Sequence, residues 1–317
     1  MSTPPTMTRM QRFRAALRHE EVDHVPCTAW MHFVTETLGG TEHAMRHARW
    51  VRDCGWDICK VVNDFHYPFP EGVDTLRSAQ DMLRFEPMSM EEPSFAEELK
   101  AIRLLRAEFG PDMPILMTTF DPMRQVARRA GMSCMPLILA HPRETKRMLE
   151  AVTDTMCRYM GALREAGCDG IFFATNSALK PPNPFGFSDA HLQEFVRPWE
   201  LRMLAAMEGM VRIIHPHGAG IDVTRVLDYP CDAFCISDRL PGNPSLAQLR
   251  QMTSRCLMGG IDESQMWQMT PGEVSAQVRD AVAQAGRRGL ILSPGCTIPA
   301  WVPAHLLEQF RAEAAQT

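Results

Sequence analysis

Short apolar segments alternate with amphipathic segments along most of this chain. Eight apolar segments are bounded by Gly, Pro or Asp, and most of them show no alternation with polar residues. Unbroken apolar character is typical of parallel strands that are covered on both faces. We therefore predict eight parallel strands, at residues 25–30, 58–62, 115–119, 170–175, 211–214, 233–237, 256–260 and 290–293.

The stretches between these segments carry helix signals. Residues 142–165 repeat apolar side chains at helical spacing and predict one long helix. Another helix is predicted to begin at Thr270, because Thr can cap a helix, Pro271 suits the first turn and Glu273 completes a capping box. Gly286 predicts the end of that helix.

Eight strand–helix alternations in 317 residues predict an α/β fold, a single (β/α)8 TIM barrel, because an open sheet of this length usually has fewer strands or a second domain. We assign residues 1–22 to an N-terminal helical extension, with a helix at about 8–18, and residues 23–317 to the barrel. Residues 66–113, after the second strand, exceed the length of one crossover. We interpret them as an insertion with two short helices that could cover the barrel mouth.

Composition narrows the range of partners. The formal net charge is −5, with 33 Lys and Arg against 38 Asp and Glu, which does not favour nucleic acid or anionic lipid. No apolar run reaches the roughly 18 residues of a membrane helix, and the first residues have no apolar signal core. We expect a cytoplasmic protein with a small-molecule substrate, in which most of the ten cysteines are buried thiols.

The active site of a (β/α)8 barrel lies at the carboxyl ends of its strands. Polar or metal-binding side chains follow seven of the eight predicted strands, namely His32, Asp64, His66, Asn176, His215, His217, Asp238, Asp262 and Cys296. We interpret His32 and Asn176 as residues near the substrate. Asp64 is either a general acid or base, a residue that orients another group, or a loop carboxylate without a catalytic role.

Two histidines after the fifth strand suggest a metal site. In an extended backbone His215 and His217 project to the same side, and Pro216 stiffens the segment. Catalytic zinc uses three protein ligands and one open position, and Cys296 after the eighth strand supplies the third. Asp238 is a candidate fourth ligand or a partner of a ligand. In the alternative interpretation, the histidines bond to neighbouring carboxylates and Cys296 is a packed turn residue.

His43 and His47 also have metal-ligand spacing, four residues apart on a predicted helix. No Glu follows His43, and Arg46 and Arg49 flank the pair. We therefore interpret this pair as a solvent-facing surface of the helix.

The chain resembles the uroporphyrinogen decarboxylase superfamily over most of its length. The resemblance rests on residues 12–18 (RFRAALR), 23–26 (DHVP), 195–198 (FVRP) and 259–262 (GGID), and above all on the tail that runs from Thr270 to LSPGCTIP at 292–299. It implies a (β/α)8 barrel, in agreement with the strand count.

Two chemistries occur in that superfamily. Its decarboxylases carry Arg-Gln-Ala-Gly-Arg at the first strand, whereas residues 28–33 read TAWMHF here. Its zinc methyltransferases, which pass a methyl group from a corrinoid to a thiol, carry His-x-Cys and a later Pro-Gly-Cys turn. His215 and Cys296 match that pattern, and His217 stands where the family has cysteine.

Three functions remain open at this point. The resemblance favours a zinc methyltransferase that takes a methyl group from a corrinoid on another protein and passes it to a thiol such as coenzyme M or to a tetrahydrofolate-type acceptor. A decarboxylase or lyase that uses Asp64 on an acidic substrate is the second. A non-catalytic barrel that holds a metal or a tetrapyrrole is the third. Relatives in the superfamily are monomers or dimers, and we expect a homodimer.

Overall fold

Seven parallel strands form one curled sheet in the computed structural model, which describes residues 6–317, so that residues 1–5 of the predicted extension lie outside the described residues. Each strand pairs with the next along the chain. The strands are β1 (Cys59–Val61), β2 (Ile115–Phe120), β3 (Gly170–Thr175), β4 (Val211–Pro216), β5 (Ala233–Cys235), β6 (Cys256–Ile261) and β7 (Leu290–Pro294). Seven of the eight predicted strands are thereby confirmed.

The first predicted strand, residues 25–30, forms only an isolated parallel bridge between Cys27 and Leu292. Thr28 N donates to Leu292 O over 3.1 Å, and Asp57 N, two residues before β1, donates to Cys27 O over 3.0 Å. The segment therefore lies between the last and the first strand. A regular ladder does not form because Pro26 has no N–H and because the Asp57 carboxylate accepts from Cys27 N over 2.9 Å.

Twelve α-helices are present in residues 6–317. The helix expected at 142–165 and the capping box at Thr270 are both confirmed. The helices are α1 (Arg9–Leu17), α2 (Gly39–Cys54), α3 (Ala79–Met82), α4 (Pro93–Phe109), α5 (Pro122–Ala130), α6 (Met135–Ala140), α7 (Pro142–Glu165), α8 (Asp189–Phe195), α9 (Arg197–Ala206), α10 (Leu246–Met252), α11 (Pro271–Ala285) and α12 (Ala304–Ala314).

The helices of residues 66–113 do not cover the site. The long helix α4 packs against α2, and the short helix α3 packs against α7. The contact between α2 and α4 is close, since a Cβ on Gly40 would lie 2.0 Å from Glu97 O. Of residues 66–113, His66 is the one that lines the cavity at the carboxyl ends of the strands. The helix α4 is therefore a crossover helix between β1 and β2, and the expected cover was wrong.

Apolar side chains are buried on both faces of the sheet. One cluster inside the curl includes Trp30, Leu116, Phe172 and Ile213, and a larger cluster fills the space between the sheet and the helices. This double burial explains why the strands read as unbroken apolar runs. None of the helices in the described part of the chain has both the length and the apolar character that crossing a membrane requires.

Candidate functional site

Three potential metal ligands converge at the carboxyl ends of the strands. His215 lies near the end of β4, His217 follows that strand, and Cys296 follows β7. One ligand atom from each residue lies within 4.8 Å of the others. His215 Nε2 lies 3.3 Å from His217 Nδ1, and Cys296 Sγ lies 3.7 Å from the same nitrogen.

These separations fit a tetrahedral zinc site. Zinc bonds of about 2.05 Å to nitrogen and about 2.3 Å to sulfur, at tetrahedral angles, separate two nitrogen ligands by about 3.3 Å and a nitrogen from a sulfur by about 3.6 Å. The two separations from His217 Nδ1, to His215 Nε2 and to Cys296 Sγ, are within about 0.1 Å of these values. Neutral imidazole and thiolate are also the ligand types that zinc prefers.

Backbone contacts orient the first ligand. His215 Nδ1 lies 3.0 Å from Cys235 O on the neighbouring strand β5, so the ring nitrogen that faces the carbonyl carries the proton and Nε2 is left as the acceptor. The ring also packs on Phe172, with centroids 4.9 Å apart. Because these two neighbours fix the ring, Nε2 keeps its direction toward His217.

The turn that carries Cys296 is held by Glu263. The Glu263 carboxylate accepts from Gly295 N over 3.2 Å and from the Ser237 hydroxyl. Only glycine fits at 295, because a Cβ there would lie 2.2 Å from Ser237 Cα. Burial raises the pKa of Glu263 to about 7.

The electrostatic setting of Cys296 favours a thiolate. Burial acts to raise the pKa of this thiol, but hydrogen bonds and charge from His215 and His217 outweigh it, and the pKa falls well below its usual range. A thiolate is the form that binds zinc.

A cavity of about 400 Å³ opens in front of the three residues. Trp30 and Phe172 form part of its apolar wall, and Lys60 on β1 lies between them, with Nζ 4.2 Å and 4.1 Å from the two ring centroids. Burial lowers the pKa of Lys60 to about 7. The polar lining residues are His32, Glu36, Lys60, Asp64, His66, Thr118, Arg124, Arg128, His215, His217, Cys296 and Thr297.

Two of the predicted catalytic residues form a pair on this cavity. His32 Nδ1 lies 2.7 Å from Asp64 Oδ1. Burial acts to raise the pKa of Asp64, but the hydrogen bond and charge of His32 outweigh it and lower the pKa to about 2. At neutral pH the carboxylate is therefore ionised and holds the His32 ring.

Two other predicted residues are not brought to the site. Asn176 is buried away from the cavity lining, where its Nδ2 donates to Asp121 and its N donates to Glu200 Oε1 over 2.9 Å. Asp238 accepts from Gly260 N over 2.7 Å and lies 3.3 Å from Arg239 Nε. In the described part of the chain, the ligand cluster contains neither residue. The predictions of Asn176 near the substrate and Asp238 as a fourth ligand are corrected accordingly.

The interpretation of His43 and His47 as a solvent-facing surface was wrong, because both side chains are buried. His43 Nδ1 lies 2.5 Å from the Thr35 hydroxyl, and Val62 N donates to His47 Nε2 over 3.1 Å. Burial lowers the pKa of His43 to about 4, and also lowers that of His47. Both are therefore neutral residues that fix the loop at 31–38 to β1.

Several site residues escaped the sequence reasoning. Lys60 lies within a strand rather than after it, and Arg124 and Arg128 lie on α5. The four-residue spacing of the two arginines on a helix directly after β2 was the available signal. Glu263 was missed because it lies one residue beyond Asp262, the residue predicted at that strand end. Asp262 instead accepts from Ser264 N and Gln265 N in a turn.

Comparisons with known proteins identify a matching family model and several similar structures. The family model for uroporphyrinogen decarboxylase (URO-D) matches residues 66–316. A methyltransferase from Methanosarcina mazei has a similar structure, with a TM-score of 0.72 and 16% identity over 98% of this chain and 99% of that chain. A protein from Listeria monocytogenes, described as a vitamin-B12 independent methionine synthase, has a TM-score of 0.59 and 14% identity over 93% and 96%. A comparison with curated protein sequences found no match.

Proposed function

This chain belongs to the uroporphyrinogen decarboxylase family, and we propose that it is a zinc-dependent methyltransferase within that family. The observation that carries the proposal is the convergence of His215, His217 and Cys296 at separations that suit tetrahedral zinc. Two proteins of similar fold are described as methyl-transferring enzymes, which supports the choice. We treat the architecture as a (β/α)8 barrel in which residues 25–30 replace the first strand.

In this proposal His215, His217 and Cys296 would hold zinc beside the cavity. Zinc, when bound, would supply a Lewis acid that lowers the pKa of an acceptor group in the cavity. The ligand set holds two neutral imidazoles and one thiolate, so its charge is less negative than in relatives with two cysteines. Such a ligand set would ease the loss of the acceptor's proton and would leave an acceptor sulfur a weaker nucleophile.

The pair of His32 and Asp64 supplies the proton acceptor. The ionised Asp64 accepts from His32 Nδ1, which leaves His32 Nε2 free to take the proton of the methyl acceptor at the cavity. Trp30 and Phe172 exclude water from the inner wall. The chain's own residues thus hold the acceptor, remove its proton and keep the site dry.

The methyl donor in this proposal is a corrinoid carried by a separate protein, and the acceptor is a thiol or a similar group. A second copy of this chain, in a homodimer, is the other proposed partner. Residues 28–33 lack the arginines of the decarboxylases, which argues against decarboxylation.

Metal analysis and turnover test the proposal together. We expect about one zinc ion per chain and the demethylation of methylcobalamin in the presence of coenzyme M. Cys296→Ala should lose the zinc and lower turnover more than about 100-fold. The matched control is Cys157→Ala, which removes a partly exposed thiol on α7. Full activity in zinc-free protein, or decarboxylation without metal, would contradict the proposal.

A further inference from the structure

Three cationic side chains line the cavity without a carboxylate partner. Lys60, Arg124 and Arg128 all contribute to its wall. Within residues 6–317, none of the three forms a salt bridge. Cations that lie away from bulk water are normally paired with acids. Arg124 and Arg128 have no such partner, so their charge is available to a ligand, whereas burial leaves Lys60 only partly protonated at pH 7.

Aromatic faces and neutral oxygens hold two of these cations in place. The Arg128 guanidinium lies 4.4 Å from the Phe120 ring centroid, and its Nη2 donates to Asn63 O over 3.0 Å. Lys60 lies between the Trp30 and Phe172 rings. Cation–π contacts and carbonyl groups position a cation without cancelling its charge.

The carboxylates on the cavity wall already have partners. Asp64 is bonded to His32, and Glu36 Oε2 lies 2.7 Å from His66 Nδ1. Each acid pairs with an imidazole, and although the charges of both act on Arg128, neither lies within salt-bridge distance of the two arginines.

The buried acid Glu98 lies near Arg128 but is not ionised enough at pH 7 to cancel the charge of that guanidinium. Burial raises the pKa of Glu98 to about 8, and its Oε2 accepts the Tyr159 hydroxyl over 2.6 Å. At pH 7 this group is mainly a neutral carboxylic acid. The wall formed by α5 therefore carries a net positive charge.

We propose that Arg124 and Arg128, with Lys60 beside them, bind the carboxylate of a small organic acid with an apolar body. Arginines one helical turn apart lie on the same face of a helix, so one carboxylate can accept hydrogen bonds from both. The rest of the cavity lining, which includes Val62, Phe120 and Ala174, suits the apolar body of such an acid. The positive charge of this subsite comes from α5, the helix after β2. Residues 28–33, where the decarboxylases carry their arginines, contribute no arginine here.

The position of the two arginines determines how the ligand would lie in the cavity. The arginines and the three metal-binding residues line the same cavity. A ligand anchored by its carboxylate at α5 extends its other end toward His217 and Cys296. This inference rests on the proposed function for the identity of the ligand as a substrate, but binding of the acid itself does not require the metal.

Isothermal titration of the chelator-treated full chain at pH 7 tests the subsite with benzoate and its neutral isostere benzamide. We expect benzoate to bind at least about tenfold more tightly than benzamide. Arg124→Gln and Arg128→Gln should each remove most of this preference. Arg129→Gln is the matched control, because Arg129 lies on the same helix with an exposed side chain packed near Phe69.

Equal binding of benzoate and benzamide by the unmodified chain would overturn the subsite, as would full benzoate preference in both glutamine variants. Inorganic phosphate that binds as tightly as benzoate would overturn an organic carboxylate as the ligand. If Arg128→Gln fails to fold, the Arg124→Gln variant and the two probes still decide. Benzoate preference without methyl transfer would refute the proposed function alone, and methyl transfer without that preference would refute the subsite alone.

Discussion

His32 Nδ1 and Asp64 Oδ1 lie 2.7 Å apart at the edge of the cavity. Asp64 Oδ2 also accepts from Phe33 N over 3.1 Å and from Thr35 N over 3.3 Å. One carboxylate after β1 therefore fixes both the loop at 31–38 and the ring of its histidine.

Asp64→Asn should lower kcat by about 10- to 100-fold with little change in KM, because His32 loses the carboxylate that orients its ring. Steady-state methyl transfer measures both constants. Glu36→Gln is the control, since it removes the corresponding acid from His66, which lies on the same cavity. An equal loss in both variants would argue for a general effect of cavity charge instead.

Acid should destabilise the protein partly through Asp64. The pKa of Asp64 is about 2 in the folded chain, below its ordinary 3.8, so its contribution is complete above about pH 4 and is lost as pH falls toward 2. The contribution is about 2 kcal/mol. Urea unfolding at pH 3 and pH 6 should show a smaller decrease for Asp64→Asn than for the unmodified chain. Parallel decreases would show that Asp64 carries no such linkage.

His217→Cys should retain zinc and bind it more tightly by about tenfold, since a second thiolate adds negative charge to the ligand set. The substitution suits the geometry because the facing atom is Nδ1, the ring nitrogen closer to the backbone. Competition with a chromogenic chelator measures the affinity. His217→Ala, which lacks any ligand atom, should lose the zinc, and zinc retention there would remove His217 from the site.

Lys60 should make stability rise with pH in the neutral to alkaline range. Its pKa is about 7 when folded and 10.5 ordinarily, so above pH 7 the unfolded chain binds more protons. The free energy of unfolding of the unmodified chain should therefore rise by about 2 kcal/mol relative to Lys60→Met between pH 7 and pH 9. Lys100→Met, at an exposed position, serves as the control. A constant difference between the chain and Lys60→Met would contradict the shift.

Asn176→Ala should reduce stability and leave the site intact. It removes the donor to Asp121 in a buried network, which costs about 1–3 kcal/mol. Zinc content and KM should stay within about twofold of the unmodified chain. Chemical denaturation and metal analysis give the two readings. Loss of turnover at unchanged stability would restore Asn176 to the catalytic group.

Local sequence patterns determined much of this protein. The apolar runs predicted eight strands, of which seven form, because residues buried on both faces cannot alternate. Thr270 predicted a helix start because the capping box is a contact within four residues. The spacing of His215 and His217 predicted two imidazoles on one side because a strand repeats every two residues. Each of these signals depends on neighbours along the chain.

Only the tertiary structure decided the rest. Cys27 makes one bridge instead of a strand because the distant Asp57 carboxylate takes its N–H. Asn176 turns toward Asp121 and away from the cavity, and Arg128 turns into it. The direction of a side chain at a strand end or on a helix depends on partners that are far away in sequence, and local spacing carries no information about those partners.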